Sequence, residues 1–106
     1  MKTILILTWT PILKHTYQKV YKFDKLSKKC KIKVFDISSI IFKGHKDTLF
    51  DSRNLIKAQK IKSLPNYLKK IKKLKVDLVI NLTGIRKENI IFDNFKKKNI
   101  KMINFI

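Results

Sequence analysis

The stretch Ile4-Leu5-Ile6-Leu7-Thr8-Trp9-Thr10-Pro11 decides the fold. Four consecutive branched aliphatics cannot alternate between core and solvent, so a strand made of them must be covered on both faces. That is the situation of a central strand in a parallel sheet. Thr10 can cap a helix and Pro11 has the fixed φ that suits a first helical position, so the strand is expected to run straight into a helix. Such a junction lies at the carboxyl edge of the sheet, where open α/β folds bind their ligands.

Outward from this strand, Leu13, Tyr17, Val20, Tyr21 and, less regularly, Phe23 and Leu26 recur at helical spacing, with Lys14, Gln18, Lys19, Lys22 and Lys25 between them. The pattern predicts one helix with a face on the sheet, ending at Ser27-Lys28-Lys29, where basic residues suit the negative end of the dipole. Ile32 to Ile37 reads as a second strand, completing a right-handed βαβ unit. From Ser39 to Lys62 the pattern is less regular. Ile40-Ile41-Phe42 before Gly44 suggests a buried corner, Asp47 to Lys57 a ragged helix, and Lys60-Ile61-Lys62 a short edge strand whose lysines discourage pairing between sheets.

Ser63 is placed to cap a helix in which Leu64, Tyr67, Leu68, Ile71 and Leu74 form one apolar stripe, and Pro65 fits its first turn. Asp77 to Leu82 gives another buried strand, with Thr83-Gly84 as its turn. Arg86 to Lys98 is expected to be a helix with Ile90, Ile91 and Phe95 inward, and Ile100 to Ile106 a last strand. The whole, residues 1–106, is expected to be a three-layer α/β Rossmann-like domain with a mainly parallel sheet of four to five strands in the order 3-2-1-4-5. A parallel edge strand ordinarily continues into a covering helix, and the sequence stops at Phe105-Ile106; the expectation is the N-terminal half of a longer, two-domain protein.

At 106 residues the chain buries about two thirds of its unfolded surface, which leaves little core to spare. The net charge of +19 invites a nucleic-acid or membrane reading. Of the 26 basic residues, however, only Arg53 and Arg86 are arginine, so 24 are lysine. Readers of bases and phosphate forks recruit Arg for its bidentate geometry, so nucleic acid is disfavoured as a partner. Abundant Lys, Ile, Asn and Phe beside a single Ala58 is the bias of an AT-rich genome, which accounts for much of the charge. Peripheral contact with an anionic membrane stays open. The lone Cys30 excludes an internal disulfide and a zinc cluster, and fits a reducing compartment. The apolar run behind Lys2 is too short for a signal peptide and lacks a cleavage site, and no stretch is long enough to span a bilayer, so the product is expected in the cytoplasm.

With that strand order, the strands beginning at Ile4 and Leu78 are neighbours and the direction of winding reverses between them. Their carboxyl ends would bring Thr8, Trp9 and Thr10 beside Asn81, Thr83 and Gly84, a set of hydroxyls, an amide and an indole suited to a sugar or to nucleotide phosphates. The alternative for each residue singly is structural: Thr10 and Thr83 as helix caps, Trp9 as packing, Gly84 as a turn. His15 could lean over the same crevice as a base, or be an ordinary surface histidine, and His45 reads as a loop residue. The first turn lacks the glycines of a dinucleotide fingerprint, and there is no P-loop. Asp36 stands where a Rossmann domain would bind ribose, but without those glycines it reads as a turn or capping residue. Paired carboxylates at acid/base spacing are absent, as is a Cys–His pair, so no catalytic residue, cofactor or metal is assigned. The missing acidic cluster after the first strand disfavours a receiver domain.

The run Ile4 to Thr16, with its Trp9-Thr10-Pro11 turn and following His15-Thr16, together with Val34-Phe35-Asp36-Ile37-Ser38, resembles the N-terminal region of bacterial capsule and lipopolysaccharide biosynthesis proteins with a glycosyltransferase-like fold. The resemblance covers about the first 40 residues. It implies an acceptor-side domain; the crevice that the strand order gives, lined by Thr8, Trp9, Thr10, His15, Asn81, Thr83 and Gly84, is then expected to take a sugar or sugar-nucleotide. It also implies a C-terminal domain that holds most of the nucleotide, and no transfer activity without it. Two other readings stand beside it: a lysine-rich binding module, and a non-catalytic small-molecule-binding α/β domain.

Overall fold

The computed structural model describes residues 1–10, 12, 14–41, 56–86 and 89–104. Five parallel strands, β1 (Thr3–Thr8), β2 (Lys31–Asp36), β3 (Gln59–Lys60), β4 (Leu78–Asn81) and β5 (Lys101–Asn104), form one sheet in the order β3-β2-β1-β4-β5. This is the expected α/β, Rossmann-like arrangement. β1 lies in the middle, with Thr3 to Thr8 paired along Lys31 to Asp36 on one side and Ile4 to Leu7 along Leu78 to Asn81 on the other.

Both faces of β1 are buried, as its aliphatic run requires. Leu5 and Leu7 enter one core with Phe35, Val79, Tyr67, Ile71, Phe92 and Phe95. Ile4 and Ile6 enter a second, on the opposite face, with Ile12, Phe23, Val34 and Ile80. Alternation along a strand sends neighbours to opposite faces, so a run of four apolar residues feeds two cores.

The first core is covered by α3 (Leu64–Lys73) and α4 (Asp93–Lys97). Ser63 caps α3 as expected, in an extended conformation with its hydroxyl accepting from Asn66 N–H at 3.3 Å, and Pro65 sits in the first turn. Tyr67 and Ile71 are buried, but Leu68 is 43% exposed, because only a narrow stripe of so short a helix meets the sheet. The helix expected from Arg86 is shorter than its apolar pattern suggests. Asn89 caps a 3₁₀ turn (Ile90–Phe92) by accepting from Ile91 N–H, and α4 follows directly. That start turns Ile91 and Phe92 inward and leaves Ile90 67% exposed, contrary to the expectation for Ile90. Asn99, at φ 56°, ends the unit, and Ile100 N–H reaches back to Phe95 O.

The second core differs most from expectation. The strand does not run straight into a helix capped by Thr10: Ile12 is not helical, the first described helical residue is Lys14, and Thr10 O is held by the Thr8 hydroxyl at 2.8 Å. Nor is the helix continuous to Ser27. Residues Thr16–Val20 wind as a π-helix, Lys22 adopts a left-handed φ of 57°, and α1 (Phe23–Leu26) is a separate single turn. Phe23 lies out of helical register with Tyr17 and Tyr21, and the break brings it inward. Its ring stacks on Tyr21 at 5.1 Å and meets Tyr17 edge-on at 5.3 Å.

Ile40 and Ile41 belong to a short helix, α2 (Ser38–Ile41), and the edge strand expected over Lys60-Ile61-Lys62 lies earlier, as β3 (Gln59–Lys60), with Ile61 leaving the sheet to be buried in the first core. The expectations for Pro11, Leu13, Phe42 and Gly44, the bulk of the ragged helix (with Arg53), and residues 105–106 lie outside the described residues. β5 is the other edge; three of its four residues are exposed, Ile103 among them. No described helix is long and apolar enough to cross a membrane.

Candidate functional site

Parallel strands align their carboxyl ends, so the turns leaving β1, β2 and β4 emerge along one edge. Leu82 N–H donates to Leu7 O at 2.9 Å and Ile37 N–H to Thr8 O at 2.8 Å, so the chains leaving β4 and β2 flank the Thr8-Trp9-Thr10 turn. β3 and β2 lie to one side of β1, and β4 and β5 to the other. The turns after β1 and β4 thus meet at the point where the strand order reverses.

The side chains at this point divide into those that build the turns and those left facing outward. Thr8 is buried, its Oγ1 donating to Thr10 O and accepting weakly from Thr10 N–H at 3.4 Å. Asn81 is also buried, and its amide is fully engaged: Oδ1 accepts from Thr83 N–H at 3.0 Å and from the Thr83 hydroxyl, while Nδ2 donates to Ile85 O at 3.0 Å and to Asn104 Oδ1 at 2.8 Å. The Thr83 oxygen in turn accepts from Ile85 N–H at 3.1 Å. Buried polar groups take the nearest partners that satisfy them, and here these lie within the turn itself.

Gly84, at φ 74°, completes this turn in a conformation that suits glycine. It is exposed, and a Cβ there would meet no atom within 4 Å, so its main chain borders open space. Trp9 and Thr10 are half-buried. Asn104 is exposed, and its side chain meets the Asn81 amide. His15 is exposed in the first helical turn. The structure therefore brings Thr8, Trp9, Thr10, Asn81, Thr83 and Gly84 to one edge, with Trp9, Thr10 and Gly84 at its accessible surface and Thr8, Asn81 and Thr83 beneath. Asn104 joins them although sequence reasoning passed over it; the pairing of β4 with β5, which sets Asn81 opposite Asn104, was the available signal.

Asp36, opposite Thr8 in the sheet, is buried and accepts from Ser38 N–H at 2.9 Å. It is a turn residue, the plainer of its two readings. Among the described residues no group of three or more His, Cys, Asp or Glu side chains could hold a metal ion. Two phenols are perturbed away from this edge. Burial pushes the Tyr67 phenol well above its usual value, and its hydroxyl donates to Ile91 O at 2.9 Å. Burial, then the charge of Asp24, raises that of Tyr17.

A cleft of about 480 Å³ lies elsewhere, where Lys14, Tyr17 and Gln18 face Ile32 and Val34 of β2, with Ile56 and Lys57 at its side. It is lined largely by the flank of the second core and holds none of the expected site residues. Comparison with protein-family models, with curated proteins and with solved structures finds no match.

Proposed function

We propose that the chain is a sugar-handling Rossmann-like domain, of the acceptor-side kind found at the N-terminus of glycosyltransferase-like proteins in surface-polysaccharide biosynthesis. It holds a sugar or sugar-nucleotide at the carboxyl edge, where β1 and β4 meet, and works with a second domain that supplies the rest of the transfer site. One observation carries this reading: β1 and β4 are direct neighbours with the winding reversed between them, so their outgoing turns share one edge. The chemistry at that edge agrees with it. An indole offers an apolar face to the C–H side of a pyranose, while Thr10 and the open main chain at Gly84 are polar groups of the kind that orient sugar hydroxyls. Asn81 and Thr83 act beneath them, fixing the turn that presents Gly84.

Trp9 is the only tryptophan, so its fluorescence reports on this edge alone. Titration with UDP-glucose and UDP-N-acetylglucosamine is expected to shift or quench it saturably, and Thr10→Val to weaken binding about tenfold, near 1.4 kcal/mol. Unchanged Trp9 emission with both nucleotides and with free hexoses, in a folded sample, would discard the proposal.

A further inference from the structure

The opposite, amino edge of the sheet has a different chemistry. All its described helix-to-strand connections lie there, because Lys31 N–H bonds Lys2 O and Asp77 N–H bonds Thr3 O, which brings the starts of β2 and β4 beside that of β1. Each connection, taken with the last helical turn before it, carries exposed lysines: Lys28 and Lys29 before β2, Lys72, Lys73 and Lys75 before β4, and Lys97 and Lys98 before β5. Lys2, Lys31 and Lys101 add the strand ends themselves. These lysines converge in space. A groove of about 320 Å³ is bordered by Lys72, Lys73, Lys75 and Lys98 over Val76 and Ile100. A second, of about 360 Å³, joins Lys75 to Lys2. The one acid in these segments, Asp77, accepts from Thr3 N–H at 2.8 Å.

Two plain explanations fall short. Lysines in the last turns of α3 and α4, and Lys28 and Lys29 just after α1, complement the helix dipoles, but Lys2, Lys31, Lys75 and Lys101 lie outside those positions. Codon drift would spread lysine over both edges, yet at the carboxyl edge the described strand ends, turns and first helical turns after β1 to β4 carry only Lys14, Lys60, Lys62 and Arg86 as lysine or arginine.

We propose that the amino edge of the sheet is a docking surface for an anionic lipid bilayer. Compact ammonium groups spread over a broad edge suit the diffuse negative potential of a headgroup layer, to which each adds independently. The same segments contain no arginine for bidentate phosphate contacts and no aromatic ring for base stacking, so a nucleic acid would find charge there but no further recognition. Docked this way, the carboxyl edge with Trp9 and Gly84 faces away from the lipid. The inference stands independently of any sugar bound there.

The test is co-sedimentation of the full chain with vesicles containing about one third phosphatidylglycerol in phosphatidylcholine, at about 0.1 M salt. Each lysine is worth roughly fivefold in partitioning, so Lys72→Gln/Lys75→Gln/Lys98→Gln is expected to bind about 100-fold more weakly. Lys14→Gln/Lys62→Gln/Arg86→Gln removes the same charge elsewhere and is expected to lose only a few-fold, with both variants checked for native circular dichroism. Equal losses in the two variants, equal partitioning onto pure phosphatidylcholine, or tighter binding to poly(U) RNA than to vesicles at matched phosphate and salt would each overturn the proposal.

Discussion

Asn81 has four hydrogen-bonding positions in its side chain, and the fold fills all of them, three within its own turn and one on the neighbouring strand. Tyr67 shows the same economy in the core, where its single hydroxyl reaches a carbonyl 24 residues away. Tyr67→Phe leaves Ile91 O buried without that partner and is expected to cost about 1–2 kcal/mol at neutral pH, read from urea unfolding. The deficit depends on pH. The folded phenol is held above the ordinary 10.0, so its protonated form is favoured in the native state. Its contribution is complete below about pH 10 and falls as pH rises from there toward the folded value. The gap between wild type and Tyr67→Phe should therefore narrow as the pH is raised from about 10 to about 11. At this scale the sequence was partly legible. It showed that Asn81 and Thr83 stand at a strand end, but whether they face a ligand or close a turn depends on the positive φ at Gly84, which residue types alone do not determine.

Among the elements, β1 and α3 were readable because one signal dominated each: an unbroken aliphatic run, and a capped apolar stripe at helical spacing. The first helical segment was not, because two rules conflict there. Its backbone propensity favours a continuous helix, while burial of Phe23 requires a change of phase, and packing prevails. Lys22 absorbs that change in a left-handed conformation that costs a side-chain-bearing residue about 1–2 kcal/mol. Lys22→Gly relieves it while loosening the unfolded chain, so a net gain of about 0.5–1 kcal/mol is expected in thermal or urea melts. Lys22→Ala should bring none, since alanine keeps the Cβ; a gain equal to that of glycine would contradict the strain. The start of the 3₁₀ turn was missed for a simpler reason. Asn89 is a strong cap, but the apolar pattern around Ile90 fits a longer helix equally well.

For the molecule as a whole, the expected order of five strands rested on placing β1 at the centre of a doubly wound sheet, with covering layers on both its faces and a parallel neighbour along each edge. The charge distribution was not legible in the same way, because lysines far apart in sequence meet only when the connections are stacked along one edge. With a net charge of +19, self-repulsion opposes the compact state, and added salt weakens it. Raising NaCl from about 0.02 M to 0.3 M is expected to increase stability by about 1 kcal/mol, roughly 4–8 °C in Tm. A Tm that falls over this range would show that attractive ion pairs, rather than repulsion, dominate.

The pairing of β1 with β4 also bears on how the chain reaches its native state. The contact between Thr3 and Asp77 joins residues 74 apart in sequence, and no local hairpin can bring them together. Closing such a span loses chain entropy before the strand gains its second neighbour. Until β4 arrives, the Ile4 to Leu7 segment has one open edge of unpaired amides and carbonyls, a template for any other extended chain nearby. Folding should accordingly be slow for a protein of this length, and dilution or a chaperone that shields that edge should raise the refolding yield.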